Sequence, residues 1–477
     1  MKDTIVLYPS PGRGHLFSMV ELGKLILKHH PSISVTVMFS TLPTETISLD
    51  DPYFATVSNT KPSITFIHLP QVSLPPMTSF SPLDFVASFF ELPELNNTNL
   101  HQTLLDLSKS SNIKALVIDF FCSAAYEFVS SRLSNIPIYF FFTSGASSLS
   151  LFLYMPTLDK NITKSLKDLD ILIDCHGIPK IPSKEMPLAM SDRSHKVYQY
   201  FVDTAKKMIK SAGLIINSFE LLEPKALQAI QEGKCTPNDS VPSIFCVGPL
   251  LNSSETKTEH DCLTWLDSQP SRSVLFLCFG SLGVFNSRQL KEMAIGLEKS
   301  GVRFLWVVRT PLSDSQTIAI KSSTSSKPCL ESLLPEGFLD RTKDRGFIVN
   351  SWAPQVAILN HGSVGGFVTH CGWNSILEAL CAGVPMIAWP LYAEQKMNRI
   401  FLVEEMKVAL ALREAKDDQF VNAVELEERV IELMNSKKGE AVRERAMQFS
   451  EGAMVAKSDR GSSSVAMAKL VDSFQLG

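Results

Sequence analysis

The chain has 477 residues, 45% of them hydrophobic and 20% charged, with a formal net charge of −4. At about 150 residues per domain, this length predicts two or three domains, each able to bury its own core. The near balance of charge excludes a nucleic-acid binder, which needs a basic stripe against phosphates, and the apolar content excludes a disordered chain.

The first apolar run, Thr4 to Tyr8, is too short for the core of a secretory signal and runs into Pro-Gly-Arg-Gly-His15, so no signal peptide is expected. Leu16, Met19, Val20, Gly23 and Ile26 then recur at helical spacing, and Ser34 to Phe39 reads as a second strand. This alternation predicts a βαβ unit in a parallel sheet. The proline-rich stretch Pro70 to Pro82 reads as a surface loop, and a further strand, Ile113 to Ile118, stops at Asp119. Ile136 to Met155 comes nearest to a membrane span, but Pro137, Gly145 and scattered Ser and Thr interrupt it. We read it as buried strand, turn and helix.

The second half repeats the theme with Val274 to Phe279, a helix near Ser287 to Lys299, and Phe304 to Val308; the Ser- and Thr-rich stretch Thr310 to Pro335 reads as a loop. The sequence therefore predicts a Rossmann-like domain over residues 1–247, an exposed linker over 248–260 and a second Rossmann-like domain over 261–455. A C-terminal helix, 456–477, is expected to return to the first domain. Nine cysteines without a Cys-x-x-Cys pair suit a reduced, cytoplasmic setting better than disulfides or zinc, which makes the Asn-x-Ser/Thr matches at Asn96, Asn161, Asn238 and Asn252 chance ones. Two such domains facing a cleft would take ligands at the carboxyl ends of their strands.

The most informative segment runs WAPQVAILNHGSVGGFVTHCGWNSILEALCAGVPMIAWPLYAEQ, from Trp352 to Gln395. Gly366-Phe-Val-Thr reads as a short strand, His370 to Ser375 as a tight turn, and Ile376, Leu377, Leu380 and Cys381 as one helix face that Gly383 ends. A strand feeding a helix in this way aims backbone N–H groups and the positive end of the helix dipole at one spot, together with His370, Asn374 and Ser375. Such a spot suits phosphate. Each residue also has a purely structural reading: Ser375-x-x-Glu378 fits a capping box, Trp352 fits a core position, and Gly365-Gly366 fits close packing. A lone histidine such as His15 is likewise more often structural.

As a whole, the segment resembles the signature of plant family 1 UDP-glycosyltransferases, and the resemblance extends along the chain. It implies a GT-B fold of two Rossmann-like domains, with the nucleotide sugar on the C-terminal domain and the acceptor on the N-terminal one. By position it implies that Trp352 stacks on uracil, that Ala353 and Gln355 contact the nucleoside, and that Glu378 binds the ribose hydroxyls. His370, Asn374, Ser375 and Ser281 would hold the diphosphate. Trp373, Glu394, Gln395 and Thr143 would reach the sugar. His15 and Asp119 would form a dyad in which His15 takes the acceptor proton and Asp119 orients the imidazole and stabilises its cation. A carboxylate that only orients would make Asp119→Asn milder than His15→Ala. Ser18 and Arg13 depart from the commoner Pro and Gln of the family, which bears on local pocket shape and leaves the base in place.

The resemblance further implies direct displacement with inversion and UDP-glucose as donor co-substrate. Glucuronate users commonly carry arginine in place of Trp373, and galactose users histidine in place of Gln395. No metal and no other cofactor is expected, because N–H groups and His370 would stabilise the departing diphosphate. The Asp-x-Asp element of metal-dependent glycosyltransferases of the other fold occurs as Asp168-Leu-Asp170 beside Lys164 and Lys167, and reads as solvated surface. The stretches Asp119 to Cys122, Phe142 to Ala146 and Leu151 to Thr157 resemble the branch that glucosylates flavonoids, isoflavones and chalcones. Phe17, Phe85, Phe89, Phe90, Phe120, Phe121 and Phe201 are the candidate acceptor wall. A cytoplasmic monomer without stable membrane insertion is expected.

Other readings stay open at this level: transfer to carbon, a terpenoid or hormone acceptor, a nucleotide-dependent dehydrogenase, or a non-catalytic sugar-nucleotide binder. The dehydrogenase reading wants Gly-x-Gly-x-x-Gly, and Gly12-x-Gly14 lacks the third glycine. The binder would not require His15 and Asp119.

Overall fold

Apolar runs spaced by amphipathic stretches build two parallel sheets in the computed structural model, which describes residues 1–42, 47–74, 81–237, 239–251, 260–309, 330–350, 352–415 and 419–475. The chain divides into two units, Met1–Asn252 with Val455–Gly477, and Ser253–Met454.

In the first unit the strands are β1 (Lys2–Tyr8), β2 (Ser34–Phe39), β3 (Ile64–His68), β4 (Ser111–Asp119), β5 (Ile138–Phe142), a small antiparallel pair β6 (Leu172–Ile173) and β7 (Ile181–Pro182), β8 (Gly213–Ile216) and β9 (Ser243–Cys246). Seven of them form a sheet in the order β3-β2-β1-β4-β5-β8-β9, every neighbouring pair parallel. Buried β-branched and aromatic side chains on both faces explain the near-continuous apolar runs. The order reverses between β1 and β4, where Tyr8 pairs with Ile118. The residues just beyond, His15 in the helix after β1 and Asp119 at the end of β4, stand at the switch point where doubly wound sheets bind ligands.

The expected strand, turn and helix over 136–155 are β5 and the helix Ala146–Asn161. No described helix is long and apolar enough to cross a membrane. Glu223, 3% exposed, caps this helix from a distant loop: its carboxylate accepts from the N–H groups of Ala146 and Ser147 at 2.8 Å and from Ser218 Oγ at 2.5 Å. That cap fixes the end of the loop that carries Thr143. The C-terminal helix Ser462–Ser473 buries Met467, Leu470 and Val471 in the same core as β1 and β5, and Tyr139 Oη donates to Ser473 Oγ at 2.9 Å.

The second unit holds β10 (Val274–Cys278), β11 (Arg303–Val308), β12 (Gly346–Asn350), β13 (Val364–Thr369), β14 (Met386–Ala388) and β15 (Ala409–Ala411), parallel in the order β12-β11-β10-β13-β14-β15. Its own switch point lies between β10 and β13. The helix Ser287–Ser300 that follows β10 is capped by Asn286, which accepts from Gln289 N–H at 2.8 Å, and ends at left-handed Gly301.

Two expectations need adjustment. Pro82 does not close a loop: it opens the helix Pro82–Leu95 behind the cap Ser81, because a residue without an N–H fits the first helical position. Residues 75–80, most of the 248–260 linker and most of the Thr310 to Pro335 stretch lie outside the described residues. Trp373 to Ser375 belong to the helix Trp373–Cys381 rather than to the preceding turn. The described cysteines are all free thiols, Asn96 is fully buried, and Asp168 and Asp170 are exposed, the latter paired with Lys184 at 3.0 Å.

Candidate active site

The first unit assembles the dyad from residues far apart in sequence. His15 Nδ1 lies 2.8 Å from Asp119 Oδ2, and the other oxygen, Oδ1, accepts from Phe121 N–H at 3.1 Å. Asp119 is fully buried, whereas the His15 side chain keeps 24% of its surface exposed. A carboxylate with both oxygens committed to donors accepts from the imidazole through Nδ1–H, which puts the lone pair of the neutral ring on Nε2. Thr143 Oγ1 stands 3.3 Å from the same Nδ1, so its hydroxyl belongs to the dyad's immediate surroundings.

Aromatic rings line this base. Phe121 meets the imidazole edge-on at 5.5 Å between centroids, Phe120 lies at 6.4 Å, and these two rings are 4.0 Å apart. Phe89 contacts Phe121 at 5.3 Å and Phe85 contacts Phe89 at 5.2 Å. Phe90 and Phe201, both buried, form a backing layer 5.5 Å apart. Phe17 does not join this wall; its ring packs 4.2 Å from Tyr53 against the core beneath the sheet, because a helix residue two positions after His15 points to a different side. Phe142 and Phe152, which sequence reasoning did not single out, complete the cluster against Phe120, each at 5.5 Å.

The second unit gathers the signature segment at the switch point of its sheet. After β13 the chain turns through His370, Cys371 and Gly372 into the helix Trp373–Cys381, and Cys371 adopts a left-handed conformation, φ 65°. Asn398, fully buried, holds that strained turn by donating Nδ2–H to Cys371 C=O at 2.9 Å. It lies beyond the signature segment and gave no signal in the sequence. Gly372, not Ser375, is the N-cap of the helix and has no side chain to cap with, so the capping-box reading of Ser375 and Glu378 fails. Instead, Gln355 Nε2 donates to Ser375 Oγ at 2.8 Å and to Glu378 Oε2 at 2.6 Å, which locks the three into one network. Asn374 stands in the same first helical turn, partly exposed.

His370 is buried between two glycines, since a Cβ at Gly280 or at Gly372 would overlap its ring. Burial, with the Arg309 cation adding to it, lowers its pKa to about 4. It is therefore a neutral donor at pH 7, not a cation. Its Nδ1 is buried without a hydrogen-bond partner among the described residues. Ser281, following β10, is exposed. Trp352 is 48% exposed and meets His260 edge-on at 6.3 Å, which rules out the core reading, while Ala353 beside it is buried. Trp373 is only 4% exposed, so it offers an edge rather than a face. Gln395, also buried, accepts from the N–H groups of Leu391 and Tyr392 at 2.9 and 3.0 Å; its carbonyl is spent on the loop, and the adjacent Glu394 is partly exposed.

The depressed pKa has a consequence for stability. Between pH 6.5 and about 4 the unfolded chain binds a proton at His370 that the native chain refuses, so stability falls as pH falls through that window. The loss approaches about 3 kcal/mol at about 1.36 kcal/mol per pH unit. Urea unfolding of wild type and His370→Gln from pH 7 to 4.5 checks this: the variant should show the shallower decline, and equal slopes would contradict it.

Across its whole length the chain is similar to Phytolacca americana UGT2 complexed with UDP-2fluoro-glucose and pterostilbene, with TM-score 0.86 and 35% identity over 99% of this chain and 100% of that one. The fold is thus the GT-B class of glycosyltransferase, built of two Rossmann-like domains. Residues 234–451 match the family model for UDP-glucoronosyl and UDP-glucosyl transferase. The anthocyanidin 5,3-O-glucosyltransferase of a Rosa hybrid cultivar is 50% identical, and isoflavone 7-O-glucosyltransferase 1 of Glycine max 48%, each over 98% of both chains. The chain belongs to this family and is a plant-type UDP-glycosyltransferase.

Proposed function

We propose that the enzyme transfers glucose from UDP-glucose to a hydroxyl of a flavonoid-type phenol, an isoflavone, flavone or chalcone, with inversion at the anomeric carbon. The observation that carries this reading is the His15–Asp119 pair set against a wall of phenylalanines. Nε2 of His15 takes the phenol proton as the oxygen attacks the anomeric carbon, and Asp119 stabilises the imidazolium. A neutral imidazole is tolerably matched to a phenol of pKa about 10 and badly matched to an aliphatic alcohol. Flat rings stack well on the partly exposed Phe85, Phe89, Phe120 and Phe121. Anthocyanidin and isoflavone glucosyltransferases at about half identity support the same acceptor class.

In this reading the second unit holds the donor. Trp352 stacks on uracil, the Ala353 backbone and Gln355 contact the nucleoside, and Glu378 takes the ribose hydroxyls. Ser281, His370, Asn374, Ser375 and the N–H groups at the start of the helix Trp373–Cys381 hold the diphosphate, and Trp373, Glu394 and Gln395 read the sugar. With its carbonyl spent, Gln395 serves the sugar through its NH2. Preorganised donors at the diphosphate stabilise the leaving group, so the reading calls for no metal. We place the enzyme in the cytoplasm as a monomer.

Incubation of the purified protein with donor and a panel of phenols, terpenols and hormone carboxylates tests the reading. A phenol of the flavonoid class should lead in kcat/KM, and a terpenol or carboxylate leading every phenol would remove the acceptor assignment. UDP-glucose should exceed UDP-galactose and UDP-glucuronate by at least about tenfold, ~1.4 kcal/mol, since Trp373 offers a carboxylate no cation. Preference for UDP-glucuronate would contradict the donor assignment, and EDTA should leave activity largely intact.

A further inference from the structure

Three adjacent strands deliver their ends to one edge of the second sheet. Arg309 follows β11, Gly280 and Ser281 follow β10, and His370 follows β13, in the spatial order β11-β10-β13. Arg309 Nη1 donates to the backbone carbonyl of Ser281, and the ring of His370 rests on Gly280. The guanidinium is thereby tied to the loop on which His370 packs. It is partly withdrawn from water, and its field is felt at both His370 and Tyr392. No carboxylate among the described residues forms an ion pair with it.

A guanidinium held away from water without a counter-charge is costly unless an anion repays the desolvation. The other groups at this edge cannot neutralise one: Ser281, Asn374 and Ser375 are uncharged, His370 is neutral at pH 7, and a helix N-terminus supplies only about half a charge. A nucleoside diphosphate brings at least two negative charges, and more charge gathers on it as the sugar leaves. Among the residues named at this edge, Arg309 carries the full positive charge.

We propose that Arg309 is a charge-compensating residue for the diphosphate of the donor, aimed by the Ser281 carbonyl and acting on the bound and departing nucleotide. This inference rests on the reading of the second unit as the UDP-sugar domain. It assigns the neutralisation to a residue outside the signature segment, one whose side chain carries charge where the signature residues carry only hydrogen bonds.

Calorimetric binding of UDP and of uridine to wild type, Arg309→Gln and Arg309→Lys tests it. UDP affinity should fall by about tenfold or more in Arg309→Gln, as expected for loss of a charge-assisted contact, while uridine affinity stays within error. Arg309→Lys keeps the charge without the planar fork and should retain most of the preference for UDP over uridine. Equal loss of UDP and uridine in Arg309→Gln would mean that the residue only shapes the loop, and no loss of either would mean that it does not meet the nucleotide; both overturn the inference. If Arg309→Gln does not fold, collapse of the UDP preference in a folded Arg309→Lys overturns it, and retention supports it. A wild-type chain that binds no UDP would overturn the underlying reading and this inference with it. UDP binding by wild type beside an unchanged Arg309→Gln would overturn this inference alone.

Discussion

Replacing His15 by Ala should lower kcat with a phenolic acceptor by roughly 10²–10⁴, the usual worth of a positioned general base. UDP affinity should be unchanged, because every residue assigned to the nucleotide belongs to the other unit. Near wild-type turnover in the variant would remove the base assignment. The geometry also changes what is expected of Asp119. An asparagine there can accept from Phe121 N–H only through its carbonyl, which turns its NH2 toward His15 Nδ1. Two donors cannot face one another, so the imidazole would move its proton to Nε2 and lose the lone pair that accepts from substrate. Asp119→Asn should therefore approach the loss of His15→Ala, with KM for the acceptor little altered, rather than be the milder change that an orienting role alone suggests. Measurement of kcat for both variants against one phenol decides between these.

Trp352→Ala should raise KM for UDP-glucose about 5- to 100-fold with kcat nearly unchanged. Its indole is half-exposed and braced from one side by His260, which leaves a face for a base. Base stacking on an aromatic ring contributes about 1–3 kcal/mol, and uracil is stacked equally in ground and transition states, so the loss falls on binding. The readout is a donor saturation curve with the acceptor saturating. Loss of kcat with KM unmoved would place Trp352 near the reacting atoms rather than on the base.

How much was legible beforehand follows from which interactions are local. The alternation of apolar runs and helical spacing identified β1, β2, β4, β5, β10 and β11, because burial on both faces of a parallel strand leaves its mark residue by residue. The signature segment was legible as strand, turn and helix, since turn residues and the helix end at Gly383 act within a few positions. The helix starts about a turn before the point that spacing indicates, because a glycine N-cap carries no side-chain marker. Resemblance then supplied roles that spacing could not.

What the tertiary structure alone decided are contacts between residues distant in sequence. His15 and Asp119 are 104 positions apart, and only the parallel pairing of β1 with β4 brings them to 2.8 Å and fixes which imidazole nitrogen faces the carboxylate. Phe17 was indistinguishable in the sequence from Phe120 and Phe121, yet the direction of its helix sends it to Tyr53. The neutral state of His370 depends on packing between Gly280 and Gly372, and the place of Arg309 depends on strand order, β11 beside β10 beside β13. A sequence records composition and local period. The charge state of a buried ring, and which side chains share a strand edge, are set by neighbours that only the completed fold supplies.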